Sequence, residues 1–374
     1  MASPHILILG AGRQSVAAGF DLARSISGLR LTLADRDLAQ ARMAASRILE
    51  LAPGAEVEAI ELAADDTTYK TYKSYTPYLA PDLVLAGVPY FLNPAVHVFA
   101  REMGVPSVDL GSDLPDLEAA LGPRGGTHST TAVFDSGVAP GLGNQLARHL
   151  VELLENPVGV KILCGGLPLE PRTPLKYRPR FSVEGLIGEY TDPATALVNG
   201  QVVELESLTD VERVEIPELG SFEAFVTSGG SSIGPQLFAG KLITYTYKTL
   251  RFLGHAATMA AYRDLGLWRE ENFPEFVRLF EEATSAEDPR DQILLVVEAW
   301  SESERKRIWL RHPFDEATGL AAMEQLTGFS ASIVAQRVLE GSLTPGLFAA
   351  EEVVSGGKMI EELGARGIVF KGSQ

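Results

Sequence analysis

A single cysteine, Cys164, stands among 374 residues. That excludes an intramolecular disulfide and any multi-cysteine metal site, and it fits a reducing, cytoplasmic setting. Long apolar runs are missing too. The start, MASPHILILG, has no basic segment, and its apolar stretch is far shorter than a signal core or a membrane span. A soluble chain with no membrane attachment is expected. Positive charge is in deficit: 32 Lys and Arg against 49 Asp and Glu leave −17, a field that repels polyanions and argues against a nucleic-acid partner. Small ligands are the expected cargo. Histidine is scarce, with six in all. His97 falls in an apolar helix pattern and His128 on a glycine-threonine loop, neither with a neighbour at metal-ligand spacing, so no metal is expected.

What is present points to an α/β fold. The stretch HILILGAGRQSVAAGFDLAR, residues 5–24, opens as an apolar strand, breaks at Gly10 and Gly12, and continues with Val16, Ala17, Phe20 and Ala23 at helical spacing. LRLTLAD (29–35) is the next strand, which completes a βαβ unit in about 30 residues. The alternation recurs through a helix at 37–51, strands at 56–62 and 82–89, a helix in NPAVHVFAREMG with Gly104 as its stop, and the strand PSVDLG. This is the pattern of a doubly wound parallel sheet that binds ligands at its strand carboxyl ends. After about residue 125 strand-like stretches dominate. ALVNGQVVEL carries Asn199-Gly200 between two β-type runs and reads as a hairpin, and QILLVVEAW with KRIWLRH reads as a further strand pair. The stretch AAEEVVSGGKMIEELGARG reads as one long final helix.

GAGRQS is a dinucleotide fingerprint with a serine in its third place. The first glycine makes the tight turn and the second lets backbone approach a pyrophosphate. The third concerns helix-on-strand packing, where Ser15 is small enough and Gly19, one helical turn on, relieves crowding. The helix N-terminus at Arg13 and Gln14 offers N–H groups to the diphosphate. Asp35, at the end of the second strand, suits ribose hydroxyls and repels a 2′-phosphate, which favours NAD over NADP. Arg13 and Arg36 keep NADP open, since either could reach that phosphate. Asp65 follows the third strand, either as an adenine-side contact or as part of a solvated acidic turn. Gly87, Val88 and Pro89 close the fourth strand, where backbone passes beneath ribose and nicotinamide.

Five stretches of the second half are hard to explain by packing alone: DSGVAPGLGN (135–144), CGGLPLEP (164–171), PLKYRPRFSVEGLIGEY (174–190), EAFVTSGGSS (223–232) and YKTLRFLGHAATM (247–259). With the N-terminal fingerprint they resemble the saccharopine dehydrogenase-like family, and within it the bacterial lysine 6-dehydrogenase branch. The resemblance implies a Rossmann-type domain, here 1–125 rejoined by 340–374, with an α+β domain for substrate binding and dimerisation inserted at 126–339. It also implies a homodimer and an amino-acid substrate whose C–N bond is oxidised or a carbonyl substrate that is reductively aminated. In that branch the ε-amine of L-lysine is converted to the 6-semialdehyde, which can cyclise, with loss of ammonia. Alternatives are a reductive condensation of the saccharopine or carboxynorspermidine type with NAD(P)H, and a dinucleotide-binding sensor without turnover.

A zwitterionic substrate of this class calls for a cation near its carboxylate. Arg251 is the candidate, because its guanidinium matches a carboxylate bidentately, and Lys248 shares its face if the stretch is helical. Asp135 is placed for the α-ammonium or for polarising the reacting amine, or else it caps the helix that begins near Gly141. His255 is the candidate general base, since imidazole titrates near neutrality, or else it is a polar residue opening a helix. Tyr177 offers a hydroxyl to the reacting nitrogen or is a half-buried aromatic. Ser182, Gly166 and Gly229 are candidate hydroxyl or backbone contacts. Cys164 follows an apolar strand with no basic partner and reads as an inert buried thiol.

Overall fold

The structure of the chain is a computed structural model that describes residues 3–64, 80–216 and 219–372. In chain order its strands are β1 (His5–Leu9), β2 (Arg30–Asp35), β3 (Glu56–Glu61), β4 (Leu83–Ala86), β5 (Ser107–Asp109), β6 (Thr131–Phe134), β7 (Gly159–Pro168), β8 (Ala194–Val198), β9 (Gln201–Leu205), β10 (Glu212–Ile216), β11 (Gly220–Phe225), β12 (Thr244–Phe252), β13 (Asp291–Trp300), β14 (Arg305–Pro313), β15 (Gly346–Ala349) and β16 (Lys371–Gly372). The helices are α1 (Arg13–Ser25), α2 (Leu38–Leu51), α3 (Asn93–Met103), α4 (Leu114–Leu121), α5 (Leu142–Glu152), α6 (Val183–Thr191), α7 (Gly234–Leu237), α8 (His255–Asp264), α9 (Phe273–Ser285), α10 (Ala322–Leu339), α11 (Ala350–Val353) and α12 (Gly356–Ala365). No helix of the described residues is long and apolar enough to cross a membrane.

The first unit comprises residues 1–145 and 324–363. Its sheet has the order β15-β6-β5-β4-β1-β2-β3, with every pairing parallel. All residues of β1 and β4 are buried, as a parallel sheet covered on both faces requires. Leu7, Leu9, Val84, Ala86, Val96 and Phe99 form one of its cores. Gly104 ends α3 in the left-handed conformation, φ 73°, as the sequence predicts. The order reverses between β1 and β4, and Gly10 and Gly87 follow these two strands at that switch point, where doubly wound folds bind ligands.

The second unit comprises residues 146–323 and 364–374. Its mixed sheet runs β10-β11-β12-β7-β13-β14-β16, with the β8–β9 hairpin attached to β12. Asn199 and Gly200 turn that hairpin with φ 53° and 78°, the two positive values a type I′ turn demands. One sheet face packs on α6, α8 and α9 through Leu186, Tyr190, Phe225, Met259, Phe276 and Phe280. Leu163, Leu250, Leu294 and Val296 are buried on the other.

Three expectations change. The units divide at 145/146 and 323/324, and again after 363, rather than at 125/126 and 339/340. The physical reason is that β6 belongs to the parallel sheet and α10 continues into the first unit. The long final helix expected at 349–367 is instead α11 and α12, interrupted at Val354 and Ser355 and preceded by β15. The stretch 244–252 is a strand, so the helical condition on which Lys248 would share a face with Arg251 is not met.

Candidate active site

In the first unit, β1 ends in a turn that only glycine can make. Gly10 has φ +88°, and a Cβ there would stand 2.5 Å from the Gly87 oxygen. Gly12 caps α1 with ordinary extended angles, φ −75° and ψ 179°. A Cβ at Gly12 would meet nothing nearer than the Gly87 oxygen at 4.0 Å. Glycine at position 12 thus leaves open ground over a 13-residue helix whose N-terminus has no side-chain cap, the setting that accepts a phosphate. Asp35 ends β2, where its carboxylate accepts from the Ala11 N–H at 2.9 Å and the Asp37 N–H at 3.0 Å. Held so, it presents a fixed negative charge where a ribose would lie. These residues fit a dinucleotide.

Ser15 is wholly buried, and a Cβ on Gly87 would fall 1.9 Å from its hydroxyl. The small residue that the fingerprint wants on the helix is supplied by the strand end instead. Gln14 and Val88 are partly exposed, and Arg13, Arg36 and Pro89 are exposed. Arg13 Nε stands 4.0 Å from Glu324. Asp65 lies outside the described residues. Asp135 ends β6 in left-handed backbone, φ 61°, with a carboxylate that accepts from the Ser112 N–H at 2.9 Å. Its own N–H donates to Asp109, which also joins His97 at 2.7 Å. The Gly141 N–H donates to Asn144 Oδ1 at 3.0 Å.

In the second unit, alternation along β12 sends Tyr247, Thr249 and Arg251 to one face and Lys248 and Leu250 to the other. On the first face, the register sets Cys164 of β7 beside Thr249 and Glu223 of β11 beside Arg251. Arg251 is buried, with Nη1 donating to the Leu250 carbonyl at 2.9 Å and Nε without a partner. Its guanidinium lies 4.5 Å from the centre of the Tyr177 ring. Glu223 accepts from the Gly254 N–H at 2.8 Å and the Ala256 N–H at 2.6 Å. A carboxylate on those donors caps α8 and fixes its first residue, His255. The His255 Nε2 meets the Tyr190 hydroxyl at 3.0 Å, and its ring stacks on Phe225 and meets Tyr177 edge-on.

Electrostatics in this cluster depart from the ordinary values. Burial, and then the Arg251 charge, hold His255 well below the usual imidazole range, so the ring is neutral. Burial raises the carboxyl of Glu189, on the last turn of α6, to about 7, with Arg251 pulling the other way. Tyr177 and Tyr190 are raised by burial, and the Cys164 thiol is pushed up to about 12. Cys164 is the inert buried thiol that the sequence predicts.

Residues 6–133 match the model of the saccharopine dehydrogenase NADP binding domain, and residues 137–368 match that of the saccharopine dehydrogenase C-terminal domain. The chain belongs to the saccharopine dehydrogenase family. The mitochondrial alpha-aminoadipic semialdehyde synthase of Bos taurus is 27% identical over 210 residues, 52% of this chain and 22% of that protein. The chain therefore spans about a fifth of the length of such relatives. Saccharopine dehydrogenase [NADP(+), L-glutamate-forming] of Saccharomyces cerevisiae is 22% identical over 372 residues, 97% of this chain and 76% of the yeast protein. The structure of apo saccharopine dehydrogenase (L-Glu forming) from the same yeast superposes with a TM-score of 0.73 at 18% identity, covering all of both chains. That match is one of fold. The N-terminal domain of the family fold binds NAD(P).

Within this family fold, Arg251, Tyr177 and His255 come together. Lys248 does not join them. Three residues from Arg251 is an odd number, so in a strand it faces the other way, and it pairs with Asp210 at 2.7 Å and Glu212 at 2.9 Å. Ser182 is the exposed N-cap of α6, accepting from the Gly185 N–H at 3.1 Å. Gly166 lies two residues past Cys164 on β7, against Met323 and Ile293. Gly229, φ +84°, turns the loop that Ser228 ties to α6 through the Glu189 carbonyl, 3.0 Å away. Sequence reasoning passed over Glu189, Tyr190 and Glu223. The signal for the first two was present: Val183, Leu186, Ile187 and Tyr190 make an i, i+3, i+4, i+7 stripe, and Glu189 sits at its edge.

Proposed function

We infer that the chain is an NAD-dependent dehydrogenase that oxidatively deaminates the ε-amine of L-lysine. The observation that carries this reading is Arg251, a buried guanidinium with an unpartnered Nε and, among the described residues, no carboxylate within ion-pair distance. Leaving such a donor unsatisfied is costly, so the arrangement suits a carboxylate that arrives with the substrate. Tyr177 stacks on the guanidinium and limits its rotation. His255, kept neutral, orients the Tyr190 hydroxyl, so it is a positioning residue in this proposal rather than the general base its residue type suggests. Gly10, Gly12, Asp35 and Gly87 are the residues that would hold the dinucleotide. When bound, the nicotinamide accepts the hydride that leaves the ε-carbon. In balance, lysine, NAD and water give the 6-semialdehyde, ammonia, NADH and a proton. The Asp35 carboxylate supports NAD over NADP. A homodimer, implied by resemblance, belongs to the same proposal and is checked by light scattering.

A second reading is favoured by one observation, the family's NADP binding domain model and the NADP-dependent yeast relative: a reductive condensation of an amine with an aldehyde. Absorbance of reduced nicotinamide, followed with NAD or NADP and a panel of L-amino acids and diamines, separates the two. Lysine-dependent NAD reduction with ammonia released is expected. Turnover only on adding amine and aldehyde with NADPH would favour condensation, and tight cofactor binding with no turnover would sink both. Arg251→Ala should raise the KM for lysine by about 100-fold, the loss of a charge-assisted pair. An unchanged KM would remove Arg251 from the carboxylate.

A further inference from the structure

Glu287, in the turn between α9 and β13, is a buried carboxylate that forms no ion pair within 4 Å with any described residue. A charge without a cation stays in the interior only where other donors satisfy it. Four do so here: the N–H groups of Arg172, Thr173 and Asp288, at 2.5, 3.0 and 3.1 Å, and the Thr173 hydroxyl at 2.8 Å. Three of the four belong to the segment 172–181, which leads from β7 to α6 with no strand or helix of its own. The same turn also takes that segment's arginines. Arg178 donates to the Ser285 and Glu287 carbonyls at 3.3 Å each, and Arg180 donates to the Pro289 carbonyl at 2.7 Å.

From Thr173 the constraint runs along the chain to Arg251. Thr173, Pro174, Leu175 and Lys176 make a turn closed by the Lys176 N–H, which donates to the Thr173 carbonyl and to the Thr173 hydroxyl, both at 3.1 Å. Proline suits the second place of such a turn and glycine the fourth. The fourth is Lys176 instead, with φ 51°, backbone that a lysine keeps only where its surroundings impose it. The next side chain, Tyr177, is buried with its ring 4.5 Å from the Arg251 guanidinium and edge-on to His255. We propose that Glu287 is a positioning residue for substrate binding: through Thr173 and the strained Lys176 it holds Tyr177 over Arg251, and so sets the plane in which the guanidinium meets a carboxylate. A ring on the face of a guanidinium leaves the N–H edge free, and a carboxylate docks on that edge. This rests on the lysine reading above, in which Arg251 takes the substrate carboxylate, and adds the residues that hold it ready.

Glu287→Gln, Thr173→Val and Thr173→Ser, each compared with the intact protein, test this. The first sets an amide N–H against the donors of the segment and the second removes the hydroxyl, whereas serine keeps it. Glu287→Gln and Thr173→Val should each raise the KM for lysine by about 10-fold with kcat within about 2-fold, and Thr173→Ser should bring KM back to within about 2-fold of the parent. Dinucleotide affinity, read by fluorescence titration, should stay within about 2-fold in all three, which a general loss of structure would not allow. Hydrogen exchange at residues 172–177 should quicken in the first two variants while β12 keeps its protection. An unchanged KM in variants whose segment exchanges faster would overturn the proposal, and so would a segment that exchanges no faster, or kcat and dinucleotide affinity falling together with KM. If Glu287→Gln does not fold, the two Thr173 variants decide. An intact protein that neither binds nor turns over lysine sinks the lysine reading, and nitration of Tyr177 by tetranitromethane then decides the hold on its ring. Nitration in Thr173→Val with the intact protein spared sustains that hold; equal nitration of the two overturns it.

Discussion

His255 and Glu189 stand in one cluster and depart from their ordinary values in opposite ways. An imidazole in water titrates near neutrality, and residue type alone therefore suggests a general base at position 255. Burial among Tyr177, Tyr190 and Phe225 removes that property. Glu189, which residue type would leave ionised and unremarked, gains a carboxyl that titrates near 7. Neither outcome is written in the local sequence, because both depend on packing partners tens of residues away. The two shifts also act on stability with opposite sign. The folded Glu189 keeps its proton up to about 7, whereas the unfolded one releases it near 4.5, so between those values the folded state binds more protons and stability falls as pH rises. His255 is depressed, so its contribution is lost as pH falls from 6.5. Without ligands, Glu189→Gln should therefore be more stable than the parent by about 1–3 kcal/mol at pH 8, and equal to it near pH 4. Denaturant unfolding at both pH values measures this, and a destabilised variant at pH 8 would contradict the assigned shift.

Elements were legible where local chemistry decides them. The βαβ start, the Gly104 stop and the Asn199-Gly200 hairpin each rest on short-range rules that tertiary structure does not override. Strand against helix at 244–252 was not decided that way. TYTYKTLRF is rich in aromatic and β-branched residues, yet lysine and arginine three apart also suit a helix face. The strand separates them, and Lys248→Met should leave the KM for lysine within about 2-fold while losing about 1–3 kcal/mol of stability, as it leaves the partly buried Glu212 with one cation fewer. A KM raised as much as by Arg251→Ala would restore the helical reading. Around α1 the same separation of roles holds. Ser15 is fully buried and packs against Gly87, so Ser15→Gly should bind dinucleotide within about 2-fold and lose about 1 kcal/mol of stability. Gly12 has backbone angles that valine adopts and open ground above it. Gly12→Val should therefore fold normally by thermal melting and bind dinucleotide at least about 100-fold more weakly, since the isopropyl group occupies the place of a phosphate. Equal binding by the two variants would remove the cofactor from this turn.

At the scale of the whole molecule the chain order matters more than any one element. The sequence suggested that the C-terminal segment returns to the first domain as a single helix at 349–367, with no strand read before it. Four apolar residues, GLFA, cannot be told from a buried helical turn by periodicity, and their pairing partner, β6, lies more than 200 residues earlier. What returns is an edge strand, β15, followed by α12, with β16 then joining the edge of the mixed sheet at β14. The last 35 residues thus serve both units in turn. Deleting residues 340–374 would remove Leu347, Met359, Leu363 and Ile368, each nearly or fully buried. At about 1.5–3 kcal/mol for each large apolar side chain, the loss is roughly 6–12 kcal/mol, comparable with the whole stability of an ordinary domain. It would also leave β6 as an uncovered edge open to other chains. The truncated protein should lose cooperative unfolding and dinucleotide binding together and form aggregates on size-exclusion chromatography. A soluble truncation that still bound the dinucleotide would mean that the parallel sheet closes without its last strand, and that the returning segment serves only the mixed sheet.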